Sequence, residues 1–250
     1  MTKKVAVVTP CITNEHLTQC FESVQKQSYN NVTHYVIVDG ITHWNSVQDI
    51  VDNVGVHKTI SPIYLSENIG KDFYGHRAFA ASSFLVNADI ITYLDADNWY
   101  ESNHVESIVN KISEGYDWTY SLRNIHSKDG KFLCEDNCES LGKWPIYGAD
   151  SNQMYHIDTS CFGVTLNVAL SIGHAWYGKW GADRQFFSAL QHFYPKWDCT
   201  GEYSMNYRLA GNDNSVNLEF FEKGNDIVGL KYANNFPWQS KNLTTNTEIK

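Results

Sequence analysis

No stretch of this sequence approaches the roughly 18 consecutive apolar residues of a membrane-spanning helix, so no transmembrane segment is expected. Met-Thr-Lys-Lys runs directly into Val5 without a separate apolar region or cleavage site, and no secretory signal is expected either. Peripheral attachment to a membrane stays compatible with both. Cysteine is sparse. Among six, only Cys134 and Cys138 lie close together, and no second Cys or Cys/His pair stands at zinc-site spacing. We expect six reduced thiols in a cytoplasmic protein, where the sequons at Asn31 and Asn242 are chance matches. Positive charge is in deficit, with 19 Lys and Arg against 28 Asp and Glu and a formal net charge of −9. That excludes a broad nucleic-acid surface, although a bound cation can neutralise a nucleotide diphosphate locally. There is no internal repeat and no low-complexity tract.

What is present begins with the stretch from Asp89 to Tyr100. Ile90, Ile91, Tyr93 and Leu94 form a short apolar run that reads as a buried strand. It ends in two carboxylates, Asp95 and Asp97, with Ala96 between them. In open α/β sheets ligands bind beyond the carboxyl ends of the strands, and carboxylate oxygens are hard ligands suited to Mg²⁺ or Mn²⁺. The competing reading is a helix-capping turn, since Asp and Asn favour turns and N-caps. The apolar run before the carboxylates favours the ligand site.

A chain of 250 residues, 42% of them hydrophobic, is long enough for one substantial core. The spacing predicts strands at Val5–Thr9 (stopped by Pro10), Tyr35–Val38 and Pro62–Leu65, then the one at Ile90–Leu94. Between them, Leu17, Cys20, Phe21 and Val24 mark a first helix, Val47, Ile50, Val51 and Val54 a second, and residues 73–86 a third. Such alternation argues for right-handed βαβ units on a parallel sheet, bringing Thr9–Cys11, Asp39 and Asp95–Asp97 to one rim. Further on, Val105, Ile108, Val109 and Ile112 predict a helix, Trp118–Asn124 a strand, Asp129-Gly130 a hairpin turn, and Cys161–Leu166 another strand. The segment Cys134–Asp158 reads as a long loop. A turn at Gly178–Gly181 leads into a helix carrying Phe186, Phe187, Leu190 and Phe193. Tyr203–Leu209 and Val216–Phe221 read as short strands, and the polar tail from about residue 240 as disordered.

Four marks in this order carry a resemblance: Val-Val-Thr-Pro10 with its helix ending near Gln27-Ser-Tyr29; Val-Ile-Val-Asp39-Gly40; Asn68-Ile-Gly70 followed by Arg77; and Tyr-Leu-Asp95-Ala-Asp97. Together they resemble the inverting, family-two nucleotide-sugar glycosyltransferases. The match is good over residues 4–115 and rests on one motif beyond. The resemblance implies a GT-A fold: a single Rossmann-like α/β domain over 1–240, its mostly parallel sheet flanked by helices. About 1–115 would bind a nucleotide-sugar and about 116–240 the acceptor, leaving a polar tail at 241–250. Thr9 and Pro10 would line the base and ribose pocket, and Asp39 would accept a hydrogen bond from the nucleobase, commonly uracil. Gly70, Lys71 and Arg77 would approach the nucleotide or its phosphates. Asp95 would contact ribose or metal and Asp97 would be the firmer ligand of Mn²⁺ or Mg²⁺, which holds the diphosphate.

The later motif, Trp180-Gly-Ala-Asp183-Arg184, stands where the family places the base that deprotonates an acceptor hydroxyl, which makes Asp183 the catalytic candidate. An N-cap role is the alternative for it, and Asp158, then Asp150, are rival bases. His156, His174 and His192 are candidates to complete a metal shell. Trp144, Tyr147, Trp176, Tyr177 and Trp180 cluster on the presumed acceptor side, where indole faces stack on sugar rings, with core packing the default for each. Two departures matter: a single Asp39 where many relatives have two acidic residues, and His76-Arg77-Ala78 where Ala-Arg-Asn is usual. The implied reaction moves a sugar, UDP-linked, to a hydroxyl of a glycan or lipid-linked glycan with inversion. Alternatives are a retaining transferase, a nucleotidyltransferase, disfavoured by the glycine-free Thr9–Thr13 turn, and a non-catalytic sugar-nucleotide-binding module.

Overall fold

The computed structural model describes residues 2–55, 57–147, 154–209 and 216–239; Asp150 and the tail 241–250 lie outside them. β1 (Val5–Cys11) is buried along its whole length, as its continuous apolar run requires of a strand covered on both faces. It pairs in parallel with β2 (Val32–Asp39) on one side and with β4 (Ile90–Tyr93) on the other, Val8 lying opposite Tyr35 and Tyr93. β3 (Thr59–Leu65) continues the parallel ladder beyond β2. Pro10 was expected to stop β1, yet the strand runs on to Cys11. The Val8 carbonyl accepts from Leu94 N–H, so alternation points the Pro10 nitrogen to the same side, which β4 has already left. The missing N–H therefore breaks no ladder bond.

Past β4 the sheet becomes mixed, in the order β3-β2-β1-β4-β8-β6-β9-β5, with β7 (Phe132–Glu135) paired to β6. β8 (Phe162–Thr165) runs antiparallel to β4 and to β6 (Trp118–His126); β9 (Trp197–Arg208) is parallel to β6, and the two-residue β5 (Trp99–Tyr100) closes on β9. β6 and β7 form the hairpin announced by Asp129-Gly130.

Helices α1 (Leu17–Gln25), α2 (Trp44–Asn53), α4 (His104–Ser113) and α6 (Ala182–Phe193) follow their apolar periodicity. α3 (His76–Ser82) is shorter than expected, because the chain before it turns through left-handed Tyr74 and Gly75. α5 (Leu166–Ile172) follows β8 without a break. Two expectations fail near the end. The strand expected at Tyr203–Leu209 is present but longer: residues 203–208 are the second half of the twelve-residue β9, and Leu209 lies just beyond it. Val216–Phe221 is the start of a helix, α7 (Leu218–Tyr232): the Asn217 side chain accepts from Phe220 N–H at 3.0 Å and caps it, and Phe221, Gly224 and Val228 form the buried stripe. The alternation of Val216, Leu218 and Phe220 imitated a strand.

Between β4, β8, α3 and α6 sits an aromatic core. Trp176 stacks on Phe186 at 4.3 Å and meets Tyr93 and Phe162 edge-on at 5.1 and 6.0 Å. Trp176 is thus core and not an acceptor-side surface. Trp144 packs on Trp238, Tyr147 on Phe220, and Tyr177 on Phe73. All six cysteines are unpaired, and no helix among the described residues is long and apolar enough to cross a membrane.

Candidate active site

A cleft of about 1050 Å³ opens beyond the carboxyl ends of β1, β2 and β4. Pro10, Asp39, Gly70, Lys71, Asp95 and Asp97 line it from the N-terminal half, and Arg123, His156, Asp158, Trp180 and Asp183 from the C-terminal half.

Asp95 is held by a residue that no sequence motif singles out. Ser160 Oγ accepts from Asp95 N–H at 3.0 Å and donates to Asp95 Oδ2 at 3.2 Å. Ser160 N–H in turn donates to Asp158 Oδ1 at 3.0 Å. Burial, reinforced by repulsion from Asp97 and Asp158, holds the Asp95 carboxyl well above the usual carboxylate range, and burial also raises Asp97. Arg208 braces the turn, donating through Nε to the Asp97 carbonyl and through its backbone N–H to Asn98 Oδ1, both at 3.0 Å.

Asp39 is committed to local structure. Its Oδ1 accepts from Ile69 N–H and its Oδ2 from Gly70 N–H, each at 2.7 Å. A carboxylate offers about four lone-pair sites, so capacity remains toward the cleft. Glycine is required at position 70, since a Cβ there would lie 2.6 Å from Asp39 Oδ2 and 3.2 Å from Gly75 Cα. Gly70→Ala is expected to cost about 1–3 kcal/mol of stability through overpacking. An unchanged urea midpoint would show that the loop is not held in this way.

Two expected site residues face elsewhere. Thr9 is buried and its hydroxyl pairs with His34 Nε2 at 2.9 Å, because strand alternation turns it away from the face of Pro10. Arg77 is absent from the cleft wall: its guanidinium lies 3.6 Å over the Phe73 ring and 5.2 Å from that of Tyr177, with Nη1 donating to Ile69 O at 3.3 Å. Arg77 buttresses the 69–73 loop from behind.

Asp183 also lines the cleft and stands in the first turn of α6, where the helix dipole favours a carboxylate. Its Oδ1 accepts from Arg184 N–H at 2.8 Å, and its Oδ2 lies 3.7 Å from His156 Nε2. The rival Asp158 is not free. Its Oδ2 receives Arg123 Nη1 at 2.7 Å while its Oδ1 caps Ser160. Arg123 is only 2% exposed and also binds Asp136 through Nε at 2.8 Å and Glu139 through Nη2. Burial alone would lower its pKa, but the three carboxylates outweigh it and hold the guanidinium charged, and the same cation lowers Asp136 against its own burial.

Removing Arg123 would strand these carboxylates, and breaking such a pair costs about 3–5 kcal/mol. Arg123→Met is expected to lose that much in urea unfolding at pH 7. In the wild type Asp136 is depressed, so its stabilisation is full above its unfolded value and lost as pH falls through the folded one. In the variant the stranded groups rise, and the deficit should shrink on acidification. A deficit that does not shrink would contradict the network.

Asp95 and Asp97 supply hard oxygen donors with excess negative charge around them, which fits a divalent cation completed by phosphate and water. Among the described residues no three metal-ligating side chains converge. His156 lies against Asp183, and His174 and His192 do not line the cleft.

The sequence model described as Glycosyl transferase family 2 matches residues 6–164. The chain belongs to that family and has the GT-A fold. Among solved structures, TarS 1-349 of S. aureus has a TM-score of 0.62 at 12% identity, covering 92% of this chain and 66% of that one. The same protein in complex with UDP-GlcNAc gives 0.61 at 11% identity, covering 92% and 67%. The mannosyltransferase PcManGT from Pyrobaculum calidifontis, in complex with GDP-Man and Mn2+, gives 0.55 at 9% identity, covering 86% and 59%. These are likenesses of fold, and the chain spans about two thirds of TarS 1-349. No curated protein matches it in sequence.

Proposed function

We propose that the chain transfers a sugar from a nucleoside diphosphate sugar, UDP-linked, to a hydroxyl of a glycan or lipid-linked glycan, with inversion and with dependence on Mn²⁺ or Mg²⁺. The observation that carries this reading is that a single cleft is lined both by Asp95 and Asp97, just past β4, and by Asp183, in the first turn of α6. Donor and acceptor chemistry then have separate carboxylates.

On the donor side, Pro10 and the Gly70 loop bound the nucleotide, and the remaining capacity of Asp39 accepts the ring N–H of uracil. Lys71, exposed at the cleft wall, pairs with phosphate. Asp95 and Asp97 hold the cation, which when bound supplies charge neutralisation to the leaving diphosphate. Thr9 and Arg77 act through the scaffold. On the acceptor side, Asp183 takes the proton of the attacking hydroxyl as its oxygen bonds to the anomeric carbon and the bond to the diphosphate breaks on the opposite face. One base and no enzyme nucleophile suffice. The solved complexes of two proteins of similar fold, one with UDP-GlcNAc and one with GDP-Man and Mn2+, support the donor class.

The test is thermal stabilisation by a panel of UDP- and GDP-sugars with and without Mn²⁺. A UDP-sugar that stabilises only with Mn²⁺ is expected. Equal stabilisation by UDP and GDP would remove the assigned role of Asp39, and stabilisation indifferent to cation would remove that of Asp97.

A further inference from the structure

Of the eight tryptophans, Trp180 alone is exposed, at 57%, and it lines the cleft three residues before Asp183. An indole left in water inside a reaction cleft gives up the burial that its apolar surface would otherwise gain. Its described contact is the Arg184 guanidinium, 5.1 Å from the ring centroid, and no aromatic side chain among the described residues lies against it. The guanidinium stiffens the indole without enclosing it.

The turn that carries Trp180 is fixed from the donor side. His76, which replaces the alanine usual in the family pattern, lies against the Gly178 and Lys179 carbonyls through Nδ1 at 3.2 and 3.1 Å. Only an Nδ1–H tautomer can satisfy both carbonyls, and burial lowers the pKa of His76, favouring the neutral ring. Left-handed Gly181 then swings the chain into α6 and Asp183. One imidazole thus ties the start of α3, behind the donor loop, to the turn that presents both an exposed indole and the base.

We infer that Trp180, on a turn clamped by His76, is an acceptor subsite for a saccharide ring, which stacks on the indole and so offers its hydroxyl to Asp183. This rests on the proposed transfer reaction and deepens its acceptor reading by placing the acceptor's saccharide ring on one side chain, a contact that a peptide hydroxyl or a simple lipid alcohol could not make. Trp180 touches the acceptor; His76 is a positioning residue.

The test uses the full chain, a hydrolysable UDP-sugar and Mn²⁺, with methyl glycosides and short oligosaccharides as acceptors beside a serine peptide and octanol. Loss of a ring-stacking contact corresponds to about tenfold in affinity. Trp180→Ala is expected to raise the saccharide KM at least that much and to lower the ratio of transfer to donor hydrolysis equally, while Trp180→Phe keeps most of both. His76→Ala should raise the same KM, and His76→Asn, whose amide can replace Nδ1–H, should restore it. Saccharide binding in the presence of UDP, followed by saturation-transfer NMR, needs no turnover and should be lost in Trp180→Ala. An unchanged KM or NMR signal in that variant would overturn the inference, as would the peptide or octanol being the better acceptor, or no saccharide being bound. Failure of the transfer reaction itself would appear separately, as a wild type that cleaves no nucleotide-sugar.

Discussion

Asp183→Asn is expected to lower sugar transfer about 10²–10⁴-fold, the usual cost of losing a general base, while nucleotide affinity stays nearly unchanged. The substitution is isosteric. The amide oxygen can still accept from Arg184 N–H, as Oδ1 does at 2.8 Å, so the start of α6 keeps its geometry. What disappears is the group proposed to take the acceptor proton. Among the described residues, Asp158 and Glu139 are already engaged: Asp158 receives Arg123 at 2.7 Å and Ser160 N–H at 3.0 Å, and Glu139 is bound to the same guanidinium. Steady-state turnover set beside calorimetric titration with UDP checks both halves of the statement. A variant with full turnover would return Asp183 to a purely capping role.

Asp97→Asn should move activity and stability in opposite directions. Even residues that only support a metal ligand cost about 10–100-fold in metal affinity when lost, so removing one of two carboxylates should cost at least about 100-fold in activity at fixed Mn²⁺. Stability behaves otherwise. Burial raises the Asp97 pKa in the folded state, so its ionised form is a net cost at pH values above that range. A neutral asparagine relieves that cost, and the metal-free variant should melt no lower than the metal-free wild type. Added Mn²⁺ should raise the melting temperature of the wild type and not of the variant. Equal stabilisation of both would place the cation elsewhere.

The N-terminal half was legible because its signals are local. A buried apolar run ending in Asp95-Ala-Asp97, and the periodicity of α1 and α4, are written within a few residues of each other. Direction was less legible than position. Thr9 and Pro10 are adjacent, yet strand alternation and His34 decide that only Pro10 reaches the cleft. Arg77 stands at the expected place in the chain, but the rings of Phe73 and Tyr177 draw its guanidinium behind the loop. The network around Arg123 was not legible, since Asp136, Glu139 and Asp158 stand 13, 16 and 35 residues from it and meet it only in the fold. Ser160 was hidden for the same reason, lying 65 residues from the Asp95 that it holds. Among the aromatics, composition could suggest a sugar surface but could not choose, and burial separates Trp176 in the core from Trp180 at the cleft.

Inverting transfer from a metal-held nucleotide-sugar can be followed without knowing the acceptor, because water can stand in for it. Incubation of the chain with an α-linked UDP-sugar and Mn²⁺, followed by real-time proton NMR, reads the anomeric configuration of the sugar released before mutarotation. The β-anomer is expected to appear first, identified by its larger anomeric coupling for a gluco-configured sugar, and omission of Mn²⁺ is expected to abolish its release. Initial release of the α-anomer, or release at the same rate without a divalent cation, would contradict inverting, metal-dependent transfer.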